Sequence, residues 1–183
     1  MNKNVPNIIS LLRIALIPVL FVLFFLRLYI AAAVFFVVLS LTDSLDGFLA
    51  RKCHAVSNFG KFLDPIADKV LVVSAMFLVA VGGVLDVYSI AVCFTLVVAR
   101  DFIISGFRLI AVEAGVVIAA DIWGKIKTFL LDVALALLLV ASLHEIVLYV
   151  GMAVLYAATL VAVFSGINYL VKNRNVFGKK DEE

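Results

Sequence analysis

Residues Asp43–Lys69 read DSLDGFLARKCHAVSNFGKFLDPIADK, and apolar runs flank them on both sides. The segment holds four aspartates, Asp43, Asp46, Asp64 and Asp68, in a chain of 183 residues that is 66% hydrophobic and 15% charged. Soluble domains hold about 45–50% apolar residues, so this composition, with a mean hydropathy of +1.22, is that of an integral membrane protein. Lipid tolerates few carboxylates, and the fold and the chemistry both turn on how these four are accommodated.

Working outward, six stretches are long and apolar enough to cross a hydrocarbon core about 30 Å thick at about 1.5 Å per residue. They are Ile8–Leu28, Ala31–Ala50, Gly60–Val81, Val87–Ile110, Trp123–Ser142 and Ile146–Val171. Short connections with turn signals join them, among them Arg27–Tyr29 and Gly82-Gly83. The expected fold is an all-α membrane protein of six transmembrane helices, one integral-membrane domain over residues 1–183. The first run is too long for a signal-peptide core and lacks a small-residue cleavage site, so it is read as retained. Cys53 and Cys93 show neither a disulfide pattern nor metal-site spacing.

The basic residues choose the orientation. Fourteen of the fifteen Lys and Arg residues, all except Arg27, fall on one side of a six-span layout. The positive-inside rule therefore puts both termini and the Asp43–Lys69 connection on the cytoplasmic face of the cell membrane. The net charge of +2 hides this segregation, and no nucleic-acid partner is expected. Lys172, Arg174, Lys179 and Lys180 form a tail suited to anionic lipid headgroups, and Trp123 suits an interfacial anchor.

Asp43 and Asp46 are three apart on the second span, and Asp64 and Asp68 four apart on the third, so each pair lies on one helix face. Counted from the connection, Asp46 and Asp64 share a shallow level and Asp43 and Asp68 a deeper one, roughly 5–15 Å inside the helix ends. Four such carboxylates at mid-membrane would cost roughly 10 kcal/mol on the insertion scale. Shallow depth and water reduce that cost without explaining the clustering. Two divalent cations do explain it, because carboxylate oxygens suit Mg²⁺ and Mn²⁺ and can bridge two of them. Gly47, Ala50 and Gly60 lie along the aspartate faces, where small side chains either let a bulky ligand approach or simply permit helix packing. Arg51 offers a planar fork suited to phosphate at the lip.

These residues carry a resemblance. Asp43, Asp46, Gly47, Ala50, Arg51, Gly60, Asp64 and Asp68 match the pattern DxxDGxxARx8Gx3Dx3D of the CDP-alcohol phosphatidyltransferase family at every fixed position. Three further segments resemble the phosphatidylglycerophosphate synthase branch of that family. PNIISLLRIALIP (Pro6–Pro18) is similar to its PNxxTxxR segment, ARDFIISGFR (Ala99–Arg108) to AREFxxTGxR, and AADIWGKIKT (Ala119–Thr128) to AAxxxGKxKT. Ser10, Asp101 and Ser105 depart mildly from these patterns.

The resemblance implies CDP-diacylglycerol as donor, sn-glycerol 3-phosphate as acceptor and CMP as leaving group. It implies metal contacts for Asp43, Asp46, Asp64 and Asp68, with Asp68 also the general base. It gives Gly47, Ala50, Arg51 and Gly60 to the donor site, and a homodimer as the assembly. Arg13, Arg100, Arg108, Lys125 and Lys127 are the candidates for the acceptor phosphate. Topology alone would also put Lys125 and Lys127 where they are, whereas Arg13 and Arg108 sit inside apolar stretches. Asp132, in the fifth span, reads as structural, against a polar neighbour or Lys127. Cardiolipin synthase and phosphatidylinositol-phosphate synthase are the alternatives within the family. A cation or proton-coupled transporter is the alternative from another class, although its carboxylates would be expected near the midplane at broken helices.

Overall fold

The computed structural model describes residues 5–52, 58–83, 85–113, 116, 118 and 121–174, with side chains described at 11–42, 66–83, 85–112, 116, 118 and 121–174. Among them the chain is helical throughout, without a strand: α1 (Val5–Phe25), α2 (Tyr29–Lys52), α3 (Asn58–Val81), α4 (Val87–Glu113), α5 (Ile122–Leu139) and α6 (Glu145–Lys172). A helix satisfies its backbone hydrogen bonds within its own segment, which is what hydrocarbon demands of a spanning chain.

Each expected span is a helix, and the ends differ for local reasons. The first span was expected to reach Leu28, but α1 stops at Phe25. Arg27 turns left-handed there, with φ 59°. Its N–H bonds the Phe24 carbonyl at 2.9 Å and the Leu28 N–H bonds the Leu23 carbonyl at 3.0 Å. These two bonds close a Schellman cap, at a position where glycine is the usual residue. Two glycines follow α3 for different reasons. Gly83 has φ 65°, whereas a Cβ on Gly82 would come within 3.1 Å of the Phe24 ring and 3.2 Å of the Leu78 carbonyl. The expected fifth span continued to Ser142, but α5 ends at Leu139 and the chain tightens into a 3₁₀ turn at Ala141–Leu143.

The chain divides into two compact units. The first comprises Met1–Leu85 and Leu135–Gly151. In it α1 packs against both α2 and α3, more extensively than α2 and α3 pack on each other. Leu20, Phe36, Leu71, Leu78 and Leu138 are buried there. Gly151 at the start of α6 fits where a Cβ would come within 2.9 Å of Leu138 on α5, a small-residue contact of the kind that brings apolar helices together. The second unit comprises Asp86–Ala134 and Met152–Glu183. One cluster in it gathers Ile104, Phe107 and Ala111 of α4 with Tyr169 of α6, and Val116 and Ile118 pack against it.

Large apolar side chains stand exposed on every helix, among them Val22, Val34, Phe77, Phe102, Phe129 and Leu160. Water would not support so much apolar surface, but lipid does. The segments Val87–Val112, Ile122–Leu143 and Glu145–Lys172 are long and apolar enough to cross a membrane, and Leu11–Phe25 and Tyr29–Thr42 are shorter apolar helices. The protein is an all-α membrane protein.

Candidate functional site

The helical backbone carries the aspartate segment on both sides. Asp43 and Asp46 lie in α2 and Asp64 and Asp68 in α3, so three- and four-residue spacings place each pair on one face of its helix. The side chains of Asp43, Asp46, Gly47, Ala50, Arg51, Gly60 and Asp64 lie outside the described residues. Asp68 is described and half-buried, on the helix turn that follows the buried Ala67. No group of three or more metal-ligating side chains gathers among the described residues, of which Asp68 is the one member of the aspartate set. The donor set itself fits hard divalent ions, being four carboxylates carried in pairs on two helices.

In the same unit, Arg13 on α1 is 2% exposed. A guanidinium keeps its proton, so burial at that depth is tolerable only with compensating charge. The aspartates of α2 and α3 supply all the carboxylates of that unit except Glu145.

The other basic candidates lie in the second unit, and two of them share a single counter-ion. Lys127 on α5 is buried and donates to both oxygens of Asp101 on α4, at 2.7 and 3.0 Å. Arg100 donates to Asp101 Oδ1 through Nη1 at 3.2 Å and to Ser165 Oγ on α6 through Nη2 at 2.9 Å. Ser165 is fully buried, and its hydroxyl donates a hydrogen bond to the Ala162 carbonyl at 3.0 Å. Two cations against one carboxylate leave this cluster with a net positive charge.

Missing side chains make room for Arg100. A Cβ on Gly166 would lie 2.9 Å from Arg100 Cγ, and one on Gly124 would lie 3.4 Å from its Nη2. Arg100 thus runs close against glycines of α5 and α6. The segments ARDFIISGFR and GKIKT therefore meet in space: Gly124 gives Arg100 room and Lys127 neutralises Asp101. Thr128 ties back to the Gly124 carbonyl at 3.1 Å.

Arg108 stands apart from this network. It is exposed, its Nε donates to Tyr169 Oη at 3.0 Å, and its guanidinium carbon lies 5.4 Å from the Tyr169 ring centre. Lys125, in the first turns of α5, is exposed and has no hydrogen-bond or ion-pair partner among the described residues. Four participants were not anticipated from the sequence: Asp101 as counter-ion, and Ser165, Gly166 and Tyr169 as the α6 surface that receives the α4 arginines. The available signal was a run of small and polar residues in an otherwise apolar last helix.

Fold and site define a helical membrane protein with an aspartate-rich helix pair and a cationic cluster braced by one carboxylate. The chain belongs to the CDP-alcohol phosphatidyltransferase family, whose model matches residues 3–164. Three relatives carry the name CDP-diacylglycerol–glycerol-3-phosphate 3-phosphatidyltransferase. The Bacillus subtilis protein is 36% identical, over 93% of this chain and 95% of the relative. The Rickettsia bellii protein is 34% identical, over 96% and 98%. The Shigella flexneri protein is 38% identical, over 93% and 94%.

Proposed function

We propose that this chain transfers the phosphatidyl group of CDP-diacylglycerol to sn-glycerol 3-phosphate, forming phosphatidylglycerophosphate and CMP, as a single catalytic domain of the cell membrane. The observation that carries this reading is the complete eight-position aspartate signature on two regular helices, in a chain similar over nearly its whole length to relatives named for that reaction. The six helices are read as six spans, with both termini and the aspartates on the cytoplasmic side, where water-soluble glycerol 3-phosphate is met. A homodimer is part of the same reading.

Asp43, Asp46, Asp64 and Asp68 would hold two divalent cations, Mg²⁺ or Mn²⁺, which when bound supply positive charge against the donor's pyrophosphate. Asp68 accepts the proton of the acceptor hydroxyl. That oxygen then bonds to the phosphorus bearing the diacylglycerol, and the bond from this phosphorus to the CMP oxygen breaks. Gly47, Ala50 and Gly60 leave space for the nucleotide, and Arg51 pairs with phosphate. Of the basic candidates on α4 and α5, Arg108 and Lys125 are the direct phosphate ligands, because Arg100 and Lys127 are committed to Asp101.

The test is CMP release by the purified protein from CDP-diacylglycerol in mixed micelles. Glycerol 3-phosphate should support turnover and unphosphorylated glycerol should support little. Chelation should abolish the reaction and added Mg²⁺ or Mn²⁺ should restore it. Release without an alcohol acceptor, or full activity after exhaustive chelation, would overturn the proposal.

A further inference from the structure

We infer that Tyr169 on α6 is a positioning residue that holds the Arg108 guanidinium ready for an acceptor's phosphate. This inference rests on the role proposed for Arg108.

Tyr169 is 3% exposed and fixed on several sides. It belongs to the cluster of Ile104, Phe107 and Ala111, and its ring meets Phe107 edge to face at 81°, with centres 6.0 Å apart. Its backbone carbonyl accepts the Asn173 side-chain amide at 2.8 Å. A phenol held this firmly presents its oxygen at one place, and Arg108 Nε donates to it at 3.0 Å. Besides its 5.4 Å approach to the Tyr169 ring, the guanidinium is hydrogen-bonded through Nε. Among the described residues, Nη1 and Nη2 have no protein partner, and Arg108 is exposed.

The chemistry of that arrangement is specific. Phosphate pairs best with two parallel N–H donors of one guanidinium. With Nε taken by Tyr169, the fork left for a phosphate is the end-on Nη1/Nη2 edge. A free arginine side chain would lose rotamer freedom when it bound, whereas one already bonded to a buried phenol has lost much of it beforehand. Tyr169 touches no substrate and acts through Arg108. If the phenol merely satisfied its own hydrogen bond, its removal would alter stability and leave acceptor affinity alone.

The experiment is a double-mutant cycle with Tyr169→Phe and Arg108→Ala, read as acceptor and donor KM in the CMP-release assay, alongside thermal unfolding of each variant. Tyr169→Phe keeps the ring and its packing and removes one hydroxyl. Acceptor KM should rise roughly 3- to 10-fold, the range of one net hydrogen bond, with donor KM and kcat within about twofold of the parent. In the Arg108→Ala background the same change should alter acceptor KM less than about twofold. An unmoved acceptor KM in Tyr169→Phe, or an effect that persists undiminished without Arg108, would overturn the inference. The acceptor reading fails on a different observation, made on the parent alone: turnover no faster with glycerol 3-phosphate than with glycerol. The cycle can be run with whichever phosphorylated alcohol the parent prefers, so the two failures are distinguishable.

Discussion

Removing the Asp101 carboxylate should destabilise the protein more than removing the whole Asp101–Lys127 pair. The Lys127 side chain is 4% exposed and its ammonium has bonds of 2.7 and 3.0 Å to Asp101. Asp101→Ala leaves that ammonium buried without its counter-ion and takes one of two side-chain partners from Arg100. Breaking a buried pair by removing one member costs about 3–5 kcal/mol. For a chain of this size that corresponds to a fall of roughly 6–20 °C in the unfolding midpoint. Replacing both charges by apolar groups of similar volume, as in Asp101→Leu with Lys127→Met, leaves no stranded charge and should recover most of the loss. Asp101→Glu keeps the charge and should stay near the parent. The assay is thermal unfolding in one detergent at one protein concentration. Asp101→Ala unfolding with the parent, or a double variant no more stable than Asp101→Ala, would refute the argument that this carboxylate neutralises a buried cation.

Three further outcomes are expected. Gly166→Ala should lower activity and the unfolding midpoint together, because its Cβ would come within 2.9 Å of Arg100 Cγ and displace the guanidinium from Ser165; overpacking of this kind costs about 1–3 kcal/mol, and a variant indistinguishable from the parent would show that Arg100 yields freely. Asp68→Asn should keep the fold and lose about 10²–10⁴-fold in kcat, as removal of a general base does; near-normal turnover would assign the base elsewhere. An impermeant thiol reagent applied to intact cells should leave Cys53 unlabelled, since the positive-inside bias puts its connection in the cytoplasm, and Cys93 is buried and should not confuse the reading; labelling from outside would reverse the orientation.

Hydropathy alone determined that this is a helical membrane protein and where its helices run, because a spanning backbone in hydrocarbon has to bond within its own segment. Spacing alone put Asp43 with Asp46, and Asp64 with Asp68, on shared faces, since a helical period needs no tertiary information. The family was legible for the same reason, since the eight signature positions lie within one short stretch, and the reaction from the further segments Pro6–Pro18, Ala99–Arg108 and Ala119–Thr128. Helix ends were less legible, because they depend on single residues such as Arg27 adopting a left-handed turn. The partners of the basic residues were not legible at all. Asp101 meets Lys127 across 26 positions, Arg108 meets Tyr169 across 61 and Arg100 meets Ser165 across 65. The helices carrying them are apolar nearly all round, so no stripe of hydropathy marks which face of α4 turns toward α5 or α6. Small residues and scattered polar groups set that register, and their effect exists only once the helices are packed. Tertiary structure therefore decided that Arg100 and Lys127 are committed to Asp101 and that Arg108 keeps its Nη1/Nη2 edge open among the described residues.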